Sequence, residues 1–159
     1  MSNHNQPRPA VKAVILKNDQ LLVLEMRDEL GIYYKLPGGG QERFETMEEA
    51  LVRECAEEIS LNVKPDKLLW LADHIFNRPH KTKSDEGHQT EAFFRCYIVD
   101  NAAPQAGHVP DDDQIGIAWL PLDQLMQHRL YPLALRERLS QLTNEDDDKF
   151  VALYLGKIA

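Results

Sequence analysis

Between Gly39 and Leu61 the chain reads GGQERFETMEEALVRECAEEISL, and the carboxylates in it are spaced for chemistry. Glu54, Glu57 and Glu58 follow a glycine run, Gly38-Gly39-Gly40, and a second acidic group at Glu45. At ~100° per residue, Glu54, Glu57 and Glu58 fall within an arc of about 100° on one helix, with Ala50 in the same arc. Glu54 and Glu58 form an i,i+4 pair of like charge, which destabilises a bare helix by a few tenths of a kcal/mol. A divalent cation removes that repulsion. Mg²⁺ and Mn²⁺ both favour carboxylate oxygens and leave coordination sites for water and phosphate. A cation beside a glycine-rich loop points to chemistry on phosphates. The plain alternative is a solvated acidic helix face, the commoner fate of a charge run.

The elements that must position these groups can be read locally. Thr46 suits a helix N-cap, and Glu49 three residues on completes a capping box. Leu51, Val52, Cys55, Ala56 and Ile59 form the adjacent apolar arc, expected to pack on the core. Gly38-Gly39-Gly40 leaves backbone uncovered, so that a metal or a phosphate can approach it closely. A turn between strand and helix would use the same residues.

The segment resembles the signature of the Nudix hydrolases, G-x5-E-x7-R-E-U-x-E-E-x-G-U, where U is a bulky aliphatic residue. Gly39, Glu45, Arg53, Glu54, Glu57, Glu58 and Leu61 match in strict register, and Leu36-Pro37-Gly38 resembles the usual lead-in. Cys55 stands at an aliphatic position, where a buried thiol behaves as a small hydrophobe. Ser60 stands at the glycine position. If that residue is a left-handed C-cap, serine costs roughly 1 kcal/mol there.

The resemblance implies a Mg²⁺- or Mn²⁺-dependent pyrophosphohydrolase acting on a nucleoside diphosphate linked to another group. Glu57 and Glu58 would be metal ligands. Glu54 would be a ligand or would orient or deprotonate the water, and a backbone carbonyl near Gly39 would be a further ligand. Glu45 and Arg53 would form an internal ion pair bracing loop against helix. A fourth carboxylate is expected, with Glu42 in the signature loop and Glu91 and Asp113 outside the signature as candidates. Gln114 stands where many relatives carry glutamate. A non-catalytic Nudix-fold module that binds a nucleotide and reports it to a partner is the alternative. Loss of acidic signature positions would favour it, and none is lost.

Outside the signature, Arg27 is a candidate for a bidentate phosphate contact, and Tyr33 or Tyr34 for stacking on a base. Arg95 is the structural alternative as a partner for Glu91. His74, His80 and His88 have spacings that fit no common zinc motif. A proline downstream of the signature would suggest ADP-ribose by resemblance, and Pro79 comes slightly late for that.

The elements along the chain are expected as follows. Val11–Lys17 and Gln20–Met26 form a hairpin across Asn18-Asp19. Tyr33–Leu36 is a short strand before the glycines. Strands at Leu68–Phe76 and Gln89–Val99 flank a polar, basic loop carrying Arg78, His80, Lys81 and Lys83. A Pro/Asp-rich loop spans Gly107–Asp113, and a strand Ile115–Leu120. Helices are expected at Leu122–His128 and Pro132–Leu142. Asn144–Lys149 is an acidic turn, and Phe150–Leu155 a last strand. Mixed strands with a few helices make an α+β or α/β fold, and the resemblance implies a Nudix-type α/β/α sandwich with a mixed β-sheet.

Composition sets the remaining bounds. The 159 residues suffice for one domain with a sizeable core, taken as 1–159 with a flexible stretch at 1–9. A net charge of −8 argues against a general nucleic-acid surface. No apolar run is long enough to span a membrane, and the N-terminus has no apolar signal-peptide core. Cys55 is expected on a buried face, which argues against a disulfide and fits a reducing cytoplasm. The expected partner is a small nucleotide rather than nucleic acid or membrane, and a homodimer is left open.

Overall fold

The computed structural model describes residues 6–78, 85–143 and 152–159. Its strands are β1 (Arg8–Val14), β2 (Leu16–Lys17), β3 (Gln20–Asp28), β4 (Gly31–Lys35), β5 (Gly38–Gly40), β6 (Val63–Arg78), β7 (Asp85–Ile98), β8 (Gln114–Pro121), β9 (Leu130–Tyr131) and β10 (Leu153–Ile158). Helix α1 spans Met47–Ile59 and α2 Arg136–Ser140. One five-stranded sheet runs β10-β6-β7-β1-β5; a second runs β2-β3-β4-β9, with β8 paired to β3. Both are mixed: β1 is parallel to β7 and antiparallel to β5, and β4 is parallel to β9 but antiparallel to β3.

Two cores lie on opposite sides of the strands. The first joins Leu51, Cys55 and Ile59 of α1 to Val11 and Ala13 of β1 and Leu22 and Leu24 of β3. The second takes the alternate residues, Val14, Leu21 and Val23, and covers them with Leu122, Leu125, Leu135 and Leu139. Side chains of successive strand residues point to opposite faces, so an apolar run buried on both sides feeds both cores. The result is a helix–strand–helix sandwich.

Several expected boundaries move. The strand expected over Val11–Lys17 is divided at Ile15, so that β1 belongs to one sheet and β2 to the other. The turn at Asn18-Asp19 is as expected: both have positive φ, 51° and 58°, which matches the twist of the flanking strands. Arg8 and Pro9, expected in a flexible stretch, open β1. The glycines expected as a loop form strand β5, antiparallel to β1. Strands β6 and β7 extend well into the expected polar loop; Pro79, His80, Lys81 and Lys83 lie outside the described residues. The stretch Leu122–Gln127 is 3-10 rather than α. The second expected helix reduces to a 3-10 turn at Leu133–Leu135 followed by α2. The Asn144–Lys149 turn lies outside the described residues, and the last strand is β10. No helix of the described residues is long and apolar enough to cross a membrane.

Candidate active site

Helix α1 is fixed at both ends. Thr46 Oγ1 accepts from the Glu49 N–H at 3.1 Å, and Glu49 Oε2 accepts from the Thr46 N–H at 3.0 Å, completing the capping box. At the other end Ser60 is left-handed, with φ 54°. The last carbonyls would be orphaned there. The segment before β8 satisfies them: the N–H groups of Gln105, Gly107 and Val109 donate to the carbonyls of Ile59, Glu58 and Glu57. Gln114 Nε2 adds a bond to the Glu58 carbonyl at 3.2 Å, while its Oε1 accepts from the Asp111 N–H at 2.9 Å. A Cβ on Gly107 would fall 1.8 Å from the Glu57 carbonyl oxygen, so glycine is what lets the segment cross so closely. Ala56, expected in the buried arc, is exposed. The buried face is carried instead by Leu51, Cys55 and Ile59, with Ala50 and Glu58 buried beside them.

The acidic residues of α1 open into a cleft of about 490 Å³. Glu54, Glu57 and Glu58 line one wall, beside Gly38, Gly39 and Gly40. Glu58 is buried, and its Oε1 accepts from the Gly38 N–H at 2.8 Å. Burial pushes its carboxyl up to about 8, against the opposing effect of that hydrogen bond. Burial also raises the Glu54 carboxyl, while Arg53 opposes the shift. A Cβ on Gly39 would fall 2.6 Å from Glu54 Oε1; only a bare Cα allows that carboxylate so close.

Arg53 ties this wall to the preceding loop. Its Nε and Nη2 donate to the two Glu45 oxygens at 3.1 and 2.7 Å, Nη2 donates to the Gly40 carbonyl at 3.0 Å, and Nη1 donates to Glu54 at 3.0 Å and Glu57 at 3.4 Å. The hydrogen bond from Arg53 holds the Glu45 carboxyl below the usual range. The expected brace is therefore present, and it reaches further than a single pair.

The other candidates separate. Arg27 is exposed, opposite Ile32 near the β3–β4 turn, and does not line the cleft. Its backbone N–H is engaged with the Asp113 carbonyl. Tyr34 is half-buried against the second core, edge-on to the His128 ring at 5.5 Å, and it too lies outside the cleft. Tyr33 is buried in the first core. Among the described residues Phe76, Tyr131 and the buried Phe93 line the cleft. Among the expected extra carboxylates, Glu42 is 70% exposed and lies outside the cleft, 3.9 Å from Arg53. Asp113 is exposed at φ 66° and also outside. Glu91 is buried and lines the cleft, with its Oε1 2.8 Å from His74 Nδ1. Asp111 and Asp112 line it as well, and Asp111 pairs with Lys35. His88 contacts Asp73 at 3.0 Å, and His80 lies outside the described residues.

Sequence reasoning missed the basic residues of the cleft, Arg8, Lys12 and Lys35. Lys12 carried a signal: it is the one charge in the apolar run Ala10–Leu16. Burial lowers its pKa, with Glu91 acting against the shift.

The NUDIX domain family matches residues 6–142. The chain belongs to the Nudix hydrolase family. It is similar to the nucleoside triphosphatase NudI of Enterobacter sp. (strain 638), at 27% identity over 122 residues, covering 74% of this chain and 84% of that one. A MutT Nudix hydrolase from Burkholderia pseudomallei superposes with a TM-score of 0.67 at 25% identity, over 87% of this chain and 100% of that one. An ADP-ribose pyrophosphatase from Streptococcus suis 89-1591 shares the fold, with a TM-score of 0.62 at 20% identity, over 94% of this chain and 99% of that one.

Nudix hydrolases act on small nucleotide substrates and generally use divalent metal ions. Among the described residues no three His, Cys, Asp or Glu side chains already converge as a ready-made ion site. The donor chemistry nevertheless fits a hard cation. Three carboxylates share one wall, two of them pushed up by burial, and the Nudix glycines bring backbone within reach of both.

Proposed function

We propose that this Nudix hydrolase is a Mg²⁺- or Mn²⁺-dependent pyrophosphohydrolase of nucleoside diphosphate derivatives, with nucleoside triphosphates as the leading substrates. The observation that carries the reading is the Glu54–Glu57–Glu58 wall, set against the glycine strand β5 in a cleft that also holds basic and aromatic groups. The similarity to a nucleoside triphosphatase supports the choice of substrate.

In this reading Glu57, Glu58 and the Gly39 carbonyl hold the cation, and Glu54 is a ligand or orients the attacking water. When bound, the cation neutralises phosphate oxygens and acidifies a water. Arg53 holds Glu54 and Glu57 in place from behind the wall and tethers Gly40. Glu91, oriented by His74, supplies the carboxylate from outside the signature. Tyr131 and Phe76 offer apolar faces to a nucleobase. Water attacks one phosphorus of the diphosphate, and the phosphoanhydride oxygen leaves with the other phosphoryl group. Positioning and charge neutralisation supply most of the rate. The cytoplasm is the proposed location.

A hydrolysis panel tests this: nucleoside triphosphates, ADP-ribose, diadenosine polyphosphates and nucleotide sugars, with Mg²⁺ and Mn²⁺ run separately. Turnover should require the cation. Glu57→Gln and Glu58→Gln should each lower kcat at least ~100-fold with the fold intact. Near-wild-type turnover in both folded variants removes the assignment. Nucleotide binding without turnover of any substrate leaves a non-catalytic module.

A further inference from the structure

Gly40 is glycine at a place where the backbone alone does not demand it. Its φ lies outside the left-handed range, and it pairs with Ala10 in an ordinary antiparallel register. The space that a side chain would take is filled from another strand. A Cβ on Gly40 would fall 2.0 Å from Arg8 Nη2 and 2.5 Å from both Arg8 Cζ and Nε. The Arg8 guanidinium therefore occupies the side-chain volume of Gly40. The neighbouring Gly39 meets the Glu54 carboxylate in the same manner.

Arg8 also differs from the other cations of the cleft. Lys35 is paired with Asp111, and Lys12 lies in the field of Glu91 and Glu58. Among the described residues Arg8 makes no carboxylate ion pair, and it is exposed on the cleft lining. A guanidinium fork matches two phosphate oxygens and keeps its charge at any working pH.

We propose that Arg8 anchors a phosphate of the nucleotide in the cleft, and that Gly40 is glycine to make room for its guanidinium. The inference rests on the nucleotide reading above and adds to it a residue outside the Nudix signature. Arg8 has no part in the chemical step; it holds the phosphate chain against the glycine strand.

The test combines Arg8→Ala, Arg8→Lys, Gly40→Ala and the double variant Arg8→Ala/Gly40→Ala. Two readouts are used: steady-state hydrolysis of a nucleoside triphosphate, and equilibrium binding of its non-hydrolysable α,β-methylene analogue. Arg8→Ala should raise KM and the analogue Kd by ~10–100-fold with little change in kcat, and Arg8→Lys should fall between it and wild type. Gly40→Ala should have a similar effect in the wild-type background, because its new methyl displaces the guanidinium. It should add nothing once Arg8 is alanine. Unchanged analogue binding by Arg8→Ala, or a Gly40→Ala effect that persists in the double variant, overturns the proposal. Absence of hydrolysis by wild type overturns instead the enzymatic reading, and the binding arm still decides the role of Arg8.

Discussion

Removing Arg53 tests whether the site is held together by one cation. The guanidinium makes two hydrogen bonds to Glu45, one each to Glu54 and Glu57, and one to the Gly40 carbonyl. Arg53→Ala deletes all five at once. It leaves Glu45 and Glu54, each 15% exposed, without their counter-ion. Breaking a buried pair by removing one partner costs about 3–5 kcal/mol. Arg53 is 24% exposed, so water reaches part of the network and the cost falls to about 2–3 kcal/mol. For a domain of this size, where 1 kcal/mol moves Tm by about 2–4 °C, the expected loss is about 5–10 °C. Circular-dichroism melts at low salt measure it directly.

The controls separate charge from geometry. Arg53→Lys keeps the charge but not the fork, and should recover only part of the loss. Glu45→Gln should cost less alone, and much less in the Arg53→Ala background, because the pair is already broken. Divalent cation should narrow the gap between Arg53→Ala and wild type, since it relieves the repulsion left between Glu54 and Glu57. A variant melting within about 1 °C of wild type refutes the buried-network argument. A loss that moderate salt abolishes would show the pairs to be solvent-screened surface contacts.

Ser60→Gly should raise stability by about 0.5 kcal/mol, seen as a small rise in Tm: it removes the ~1 kcal/mol cost of a left-handed non-glycine residue and gives up only the exposed 3.3 Å bond to the Ala106 carbonyl. Millimolar Mg²⁺ or Mn²⁺ should raise Tm by several degrees, consistent with about 2.7 kcal/mol at a hundredfold excess over Kd, while sodium chloride of equal ionic strength should not; Glu57→Gln should lose most of the gain, and a shift kept by the variant would refute cation binding at this wall. Cys55 and Cys96 are fully buried, and burial pushes the Cys96 thiol up to about 12, so both should resist alkylation in the native protein at neutral pH and react on unfolding; rapid labelling of the folded chain would contradict that packing.

What was legible in the sequence is what is local. The capping box, the acidic arc of α1 and the left-handed Ser60 depend on residues within one or two turns of each other. The Asn18-Asp19 turn is local too. The division at Ile15 was not legible, because Ala13 to Leu16 are buried on both faces and carry no alternation to mark a change of sheet. Ala56 pointed the wrong way for a related reason: the apolar arc is wider than the face that the sheet covers. The cleft is non-local throughout. Lys12 comes near Glu91 because β1 and β7 pair in parallel with Ala10 opposite Glu91, and His74 reaches Glu91 through the β6–β7 register. Neither register can be read from either strand alone. Arg27 and Tyr34 were plausible by residue type, yet the β3–β4 pairing sets them away from the cleft.

The balance of charge in the cleft bears on how an anionic substrate can enter an acidic protein. Glu54, Glu57, Glu58, Glu91, Asp111 and Asp112 face Arg8, Lys12 and Lys35, and the chain as a whole carries −8. Lys35 is spent on Asp111, and burial weakens the hold of Lys12 on its proton. A bare polyphosphate would therefore meet a net negative cleft, within a Debye length of the acidic wall. Its complex with a divalent cation carries less negative charge and brings an ion that carboxylate oxygens can hold. On the proposed reading the cleft would favour the nucleotide together with its cation over either alone. By linkage, each must raise the affinity of the other by the same factor. On the proposed reading the acidic wall would discriminate as well as support chemistry, since an anion without a cation to share would meet Arg8 beside Lys12 and a Lys35 already paired with Asp111.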